Sequence, residues 1–130
     1  MVDLEEQIVV LYALHRCGGK GRKGRIIQFI IQNGLMKPRA GDNEHRETGE
    51  TSLENDLAWA RADLKRQGWL SMPQHGFWQL TQAGREKLLR VAKALSDKNP
   101  DQLLEFLFDR LDAKLLEDLR ELGRKATDGK

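Results

Sequence analysis

The chain has one cysteine, Cys17, and three histidines, His15, His45 and His75, in 130 residues. A lone cysteine forms no internal disulfide, and no second cysteine or histidine lies at zinc-site spacing, so a reducing compartment and no structural metal are expected. Aromatic residues are few at 6%, though three are Trp and four Phe, and with 39% apolar composition they suffice for a core. No apolar run approaches the ~20 residues of a membrane span. Met1 leads into Asp3, Glu5 and Glu6, unlike the basic start of a signal peptide. These absences lead to the expectation of a soluble cytoplasmic protein, nucleoid-associated when bound to DNA, with no membrane contact and room for one ordinary domain.

Charge is unevenly placed. The net charge is only +2, yet Arg16 to Arg39 holds seven bases (Arg16, Lys20, Arg22, Lys23, Arg25, Lys37, Arg39) and no acid. Asp42 to Asp56 then holds six acids against Arg46 alone. Residues 1–95 carry a net +4 and residues 96–130 a net −2. Because charges are screened within ~8 Å in the cell, a local positive field attracts a polyanion even when the total is near neutral.

Periodicity organises the chain as helices around one hairpin. Leu4, Ile8, Leu11, Tyr12 and His15 recur at helical spacing, with acids at the start and Arg16 at the end, as the helix dipole favours; Gly18 and Gly19 close this first helix. After a basic turn, Lys20 to Gly24, the residues Ile26, Ile27, Ile30 and Ile31 mark a second helix ending at Gly34. Residues 35–50 read as a long loop. Thr51 or Ser52 caps a third helix with a buried stripe of Leu53, Leu57, Ala60 and Leu64, closed by Gly68. Two short strands, Trp69–Pro73 and Phe77–Leu80, flank a turn at Gln74, His75 and Gly76. A fourth helix is predicted from about Thr81 to Leu95.

Asn99 and Pro100 start a further helical stretch, in which ten of the twenty residues from Leu103 to Leu122 are Leu or Phe. Leu104, Phe108, Leu111, Leu115, Leu119 and Leu122 form one face of a single helix, or of two helices broken near Asp112. Such a face must be buried somewhere, and the expectation is a homodimer interface, with the first helix or a protein partner as the other places it can go. The predicted organisation is residues 1–95 as a winged-helix domain, 96–123 as a helical extension for dimerisation, and 124–130 as a flexible tail.

Helix, helix, helix, hairpin is the order of a winged helix-turn-helix, mainly α with a small β-hairpin and here with C-terminal helices added. In that arrangement the third helix enters the major groove and the hairpin touches the backbone. With its leucines inward, the third helix turns Asn55, Ala58, Ala62 and Arg66 outward, beside Lys65. Asn and Arg can bond adenine and guanine edges, and small alanines permit close approach. Trp59, between the two faces, reads as a partly buried packing residue.

Thr51-Ser-Leu-Glu-Asn-Asp-Leu-Ala-Trp-Ala-Arg-Ala-Asp-Leu-Lys-Arg-Gln-Gly-Trp-Leu, followed by Gly76-Phe-Trp-Gln-Leu-Thr-Gln-Ala-Gly-Arg, resembles the N-terminal winged-helix domain of Mrr-type restriction endonucleases. The resemblance rests on Trp59-Ala60, Leu64-Lys65, Gly68, Gly76 with Trp78, Leu80-Thr81 and Gly84-Arg85, and covers about residues 1–90. It implies binding of double-stranded DNA, in a family whose full-length members add a nuclease domain. No stretch remains here for that nuclease, so no catalysis is expected. The acidic loop and a wing tip of Gln74 and His75 depart from the pattern.

The expected DNA contacts are Asn55, Arg61, Lys65 and Arg66 on or beside the third helix, Arg22, Lys23 and Arg25 at the basic turn, and Gln74 and His75 on the wing. No cofactor is expected. Gly19-Lys-Gly-Arg-Lys-Gly24 matches a dinucleotide-binding spacing with Asp42 beyond it, but lacks the preceding strand and βαβ unit. Asp112-Ala-Lys114 is a fragment of a nuclease motif without its strand scaffold, and Cys17 and His15 point to different helix faces. The alternative to DNA binding is an adaptor that contacts proteins through the acidic loop and C-terminal helices.

Overall fold

A computed structural model describes residues 4–37, 52–97 and 111–128. In chain order the elements are α1 (Leu4–Arg16), β1 (Lys20–Arg22), α2 (Lys23–Gln32), α3 (Ser52–Gln67), β2 (Leu70–Gln74), β3 (Phe77–Leu80), α4 (Gln82–Asp97) and α5 (Ala113–Asp128). The fold is mainly helical with a small antiparallel sheet, as a winged helix with a C-terminal helix requires.

Helix α1 is the centre. Every residue from Ile8 to Leu14 is buried, so the helix is enclosed all round rather than on one stripe. α2, α3, α4 and the sheet pack around it. Ile26, Ile27 and Ile30 of α2 and Leu53, Leu57, Ala60 and Leu64 of α3 supply the surrounding apolar faces, as their periodicity predicts. Burying one such side chain is worth about 1.5–3 kcal/mol, so the elements are held mainly by this shared core.

The sheet contains one strand that the hydrophobic pattern does not reveal. Lys20–Arg22, expected as a turn, pairs with β3 in the order β1-β3-β2, with Gly21 opposite Trp78 and Arg22 opposite Phe77. Trp78 is 1% exposed and anchors the sheet to the core. On the other side β2 pairs with β3, and its register shifts between Ser71 and Gln74, the stretch that holds Pro73. Proline has no amide to donate, so the ladder is interrupted there. Because the sheet is antiparallel throughout, the glycine spacing at Gly19–Gly24 belongs to no βαβ unit.

The chain reaches α4 through Thr81, whose hydroxyl donates to the Gly68 carbonyl at 2.7 Å and accepts the Gly84 amide at 3.0 Å. A Cβ on Gly84 would overlap the Trp69 carbonyl, so this position of the shared motif lets the helix start lie directly on the chain entering β2. Lys87 covers the Trp69 ring, its ammonium 5.0 Å from the centroid.

The C-terminal leucines are covered from inside the chain. Leu115, Leu116 and Leu119 of α5 are buried, as are Leu88, Ala92 and Leu95 of α4, and the two helices pack against each other. Leu111 is also buried, and Leu122 is partly so. Of the expected dimer face, Leu115 and Leu119 are thus buried within the chain on the helix that packs on α4, Leu111 is buried where it bridges to Met36, and Leu122 is partly exposed. Leu104 and Phe108 lie outside the described residues, as does most of the acidic loop. The break near Asp112 is present, and its carboxylate caps α5 by accepting the Lys114 amide at 3.0 Å. Asp112 and Lys114 thus have a structural role. α5 continues to Asp128, beyond residue 123 where a tail was expected.

α5 also reaches the central helix. The Tyr12 hydroxyl donates to Asp118 at 2.6 Å, and burial, with Asp118 second, raises the Tyr12 pKa far above the phenol value. Where α4 and α5 come closest, a Cβ on Gly123 would overlap the Ala92 carbonyl. Gly to Ala in a helix normally stabilises by about 1 kcal/mol. Here Gly123→Ala should instead destabilise by about 1–3 kcal/mol, because backbone must move to admit the methyl; urea denaturation of the variant reads the sign.

Candidate nucleic-acid interface

The three-stranded sheet joins two regions that are far apart in sequence. Arg22 and Gln74 both pair with Phe77, one from each side, so the basic turn and the wing end flank the same residue. The Lys23 amide donates to the Gly76 carbonyl at 2.8 Å, which ties the start of α2 to the wing turn. Arg22, Lys23, Gln74 and His75 are all exposed at this end of the sheet. Lys20 sits opposite Gln79 on the same strand as Arg22 and adds a cation to this group.

Among the described residues no carboxylate pairs with Arg16, Lys20, Arg22, Lys23 or Arg25. All five are exposed. Lys20, Arg22, Lys23 and Arg25 thus form a strip along β1 into the first turn of α2 that has no ion pair among the described residues, while Arg16 at the end of α1 also lines clefts that hold Asp112, Asp118 and Glu121.

The third helix is different. Its acids Glu54, Asp56 and Asp63 equal its bases Arg61, Lys65 and Arg66 in number. Arg66 forms an ion pair with Asp63, one turn away. The Arg61 guanidinium donates to the Met72 sulfur at 3.3 Å, so it is directed across to β2. Lys65 is exposed, while Asn55, Ala58 and Ala62 are half-buried. Of the four polar contacts expected from α3, Asn55 and Lys65 are without a competing partner among the described residues, Arg66 shares its charge, and Arg61 is engaged.

Trp59 is the residue whose placement changes most. It is 59% exposed, where a packing role was expected. At 3.6 residues per turn it lies about 130° from the centre of the buried leucine stripe, well onto the outer face. Asp56 and Asp63, three residues before it and four after, stand on either side along the helix. Helical angle alone was sufficient to find it, and the apolar character of Trp concealed it.

His15 lies behind the strip at the end of α1. Burial, then the nearby charges of Arg85 and Arg16, lower its pKa from the ordinary 6.5. Cys17 is shifted upward by burial, opposed by Arg25 and Arg16. The two are not arranged as nucleophile and base. No cluster of three or more metal-ligating side chains occurs among the described residues, and no described helix is long and apolar enough to cross a membrane.

With the geometry in place, the family follows from comparison. Residues 7–90 match the Mrr N-terminal domain family. The chain belongs to that family. The matched segment runs from α1 to the middle of α4, so it contains the whole sheet and all three helices of the helix-turn-helix part. An Mrr N-terminal domain is a winged-helix-like domain of DNA-binding type, and the match is to this domain and not to a nuclease domain. No curated protein and no solved structure matches the chain significantly. The match ends within α4, and α5 lies beyond it.

The depressed pKa of His15 has a consequence for stability. The unfolded chain takes up the imidazole proton first as pH falls through about 6.5, so folding then favours the neutral form and stability is lost on acidification. Above about pH 6.5 the contribution of His15 is complete; it declines below that value until the folded imidazole also protonates. Urea denaturation between about pH 7.5 and 5.5 should show a smaller loss of stability in His15→Gln than in the parent chain.

Proposed function

We propose that the chain binds double-stranded DNA without catalysis, anchoring on phosphates through the strip of Lys20, Arg22, Lys23 and Arg25 and presenting α3 and the wing to the groove. The observation that carries this is that the strip, without an ion pair among the described residues, meets the wing end at Phe77. Unpaired cations at one edge release counterions from DNA when they contact it, which supplies sequence-independent affinity. Asn55 and Lys65 are the principal contacts from α3, with Arg66 joining when it leaves Asp63. Gln74 and His75 contact the backbone beside the strip. Such a protein serves as a transcriptional regulator or as the DNA-recognition subunit of a restriction or mobile-element system. A homodimer belongs to the same proposal, with an interface elsewhere than Leu111, Leu115 and Leu119.

A second reading is favoured by one specific observation. Trp59 is exposed between Asp56 and Asp63, and an apolar ring rimmed by acids suits a protein surface better than a phosphate backbone. On this reading the chain is an adaptor that docks a partner on α3, and the C-terminal helices or acidic loop extend the contact.

Salt dependence separates the two. Mixed-sequence duplex affinity, followed by fluorescence anisotropy across a salt series, should fall steeply. The combined variant Lys20→Gln, Arg22→Gln, Lys23→Gln should bind about tenfold or more weakly, with the slope reduced by about 0.9 for each phosphate it no longer neutralises. Asn55→Ala should reduce discrimination between sites, at a cost of about 1–3 kcal/mol, more than it reduces non-specific affinity. An unchanged slope in the strip variant, or no binding of the parent chain at low salt, removes the DNA reading in favour of the adaptor.

A further inference from the structure

A cleft beside the strip has the features of a ligand site. It measures about 330 Å³ and is lined by Arg16, Cys17, Arg25, Gln28, Phe29 and Gln32. The wall from α2 follows from helical spacing, since Arg25, Gln28, Phe29 and Gln32 recur at intervals of three and four on one face. Arg16 closes the opposite side from the end of α1. The two arginines and two glutamines are exposed at the rim, whereas Phe29 and Cys17 are half-buried beneath them.

The chemistry of this lining is selective. No carboxylate lines the cleft, and neither guanidinium has an ion pair among the described residues. Arg16 and Arg25 lie near enough for both to act on the Cys17 thiol. Two guanidinium groups on opposite walls of one cleft, neither committed to an ion pair among the described residues, leave room for an anion between them. Guanidinium forks match the paired oxygens of phosphate, and the glutamine amides can donate to further oxygens or bond the edge of a polar ring. Phe29 offers an apolar floor for a planar group. The volume lies at the small end of the about 300–1,000 Å³ spanned by small-molecule sites.

We infer that this cleft binds a phosphate-bearing ligand, with the phosphate between Arg16 and Arg25 and the attached group on Phe29. A free mononucleotide and a phosphate of a DNA strand share this chemistry. The site can be tested apart from the DNA-binding proposal, because the strip variant of Lys20, Arg22 and Lys23 leaves Arg16, Arg25, Gln28 and Gln32 unchanged.

Cys17 is the sole cysteine and lines the cleft, so it reports on occupancy in the full chain. The rate of its alkylation by uncharged N-ethylmaleimide would be followed with adenosine monophosphate, adenosine or mixed-sequence duplex present. The monophosphate should slow alkylation saturably by about fivefold while adenosine has no effect, since the occupant shields the thiol and its charge disfavours the thiolate. Arg16→Gln and, separately, Gln28→Ala should raise the concentration needed for protection, Arg16→Gln by about tenfold. Both substitutions are at exposed positions, and an unchanged thermal transition verifies the fold. Slowing by duplex alone assigns the phosphate to a DNA strand and supports the site with that source. Unchanged rates with both monophosphate and duplex, or protection that Arg16→Gln leaves intact, overturn it. The strip variant of Lys20, Arg22 and Lys23 should keep its protection by the monophosphate, so failure of DNA binding and failure of this cleft are read separately.

Discussion

Enclosure of α1 governs where every other element can lie. A helix buried on every side from Ile8 to Leu14 has no solvent face of its own, so other elements must supply apolar surface around its full circumference. α2, α3, α4 and the sheet each do so. This explains why the chain commits so much of its apolar composition to short amphipathic helices, and why the polar residues available for recognition lie at the periphery of the helical layer. It also explains the role of α5. With α1 already enclosed, α5 packs on α4 and touches the centre through Tyr12 and Asp118, a hydrogen-bonded contact at the rim.

The electrostatic consequence is a division of labour between two edges of the molecule. The strip through β1 and the start of α2 carries cations that have no ion pair among the described residues, whereas α3 holds acids and bases in equal number, pairs Arg66 with Asp63 and directs Arg61 to Met72. On the proposed DNA-binding reading, attraction to phosphate comes from beside the wing and selectivity from the few polar groups of α3. In a winged helix this is a workable arrangement, because phosphate contacts position the protein while groove contacts discriminate. The exposed Trp59 stands apart from both. Its exposed indole, flanked by Asp56 and Asp63, gives α3 an apolar patch rimmed by acids.

Much of the helical architecture was legible in the residues. The spacing of Ile26, Ile27 and Ile30 and of Leu53, Leu57, Ala60 and Leu64 located two of the helices and their inner faces, and Gly34 and Gly68 marked their ends. The motif from Trp59-Ala60 to Gly84-Arg85 carried the family. Two of its positions have visible reasons: Trp78 anchors the sheet in the core, and Gly84 permits contact with the Trp69 carbonyl. Less of the interface was legible. Arg22, Lys23, Gln74 and His75 were named as separate turn and wing groups, and nothing in their order along the chain reveals that one phenylalanine lies between them.

The helices, their inward faces, the hairpin and the segregation of charge are written in the order of the residues, because they follow from periodicities and turns spanning a few positions. Three further features arise from packing at a distance. Lys20-Gly-Arg22 has no hydrophobic alternation and becomes a strand only because Trp78 and Phe77 present an open edge to it. The C-terminal leucines carry no record of which surface will cover them, and the facing stripe of α4 is what Leu115, Leu116 and Leu119 meet within the chain. The cleft between Arg16 and Arg25 exists because packing on the shared core brings the end of one helix beside the start of another, a juxtaposition that no local pattern encodes.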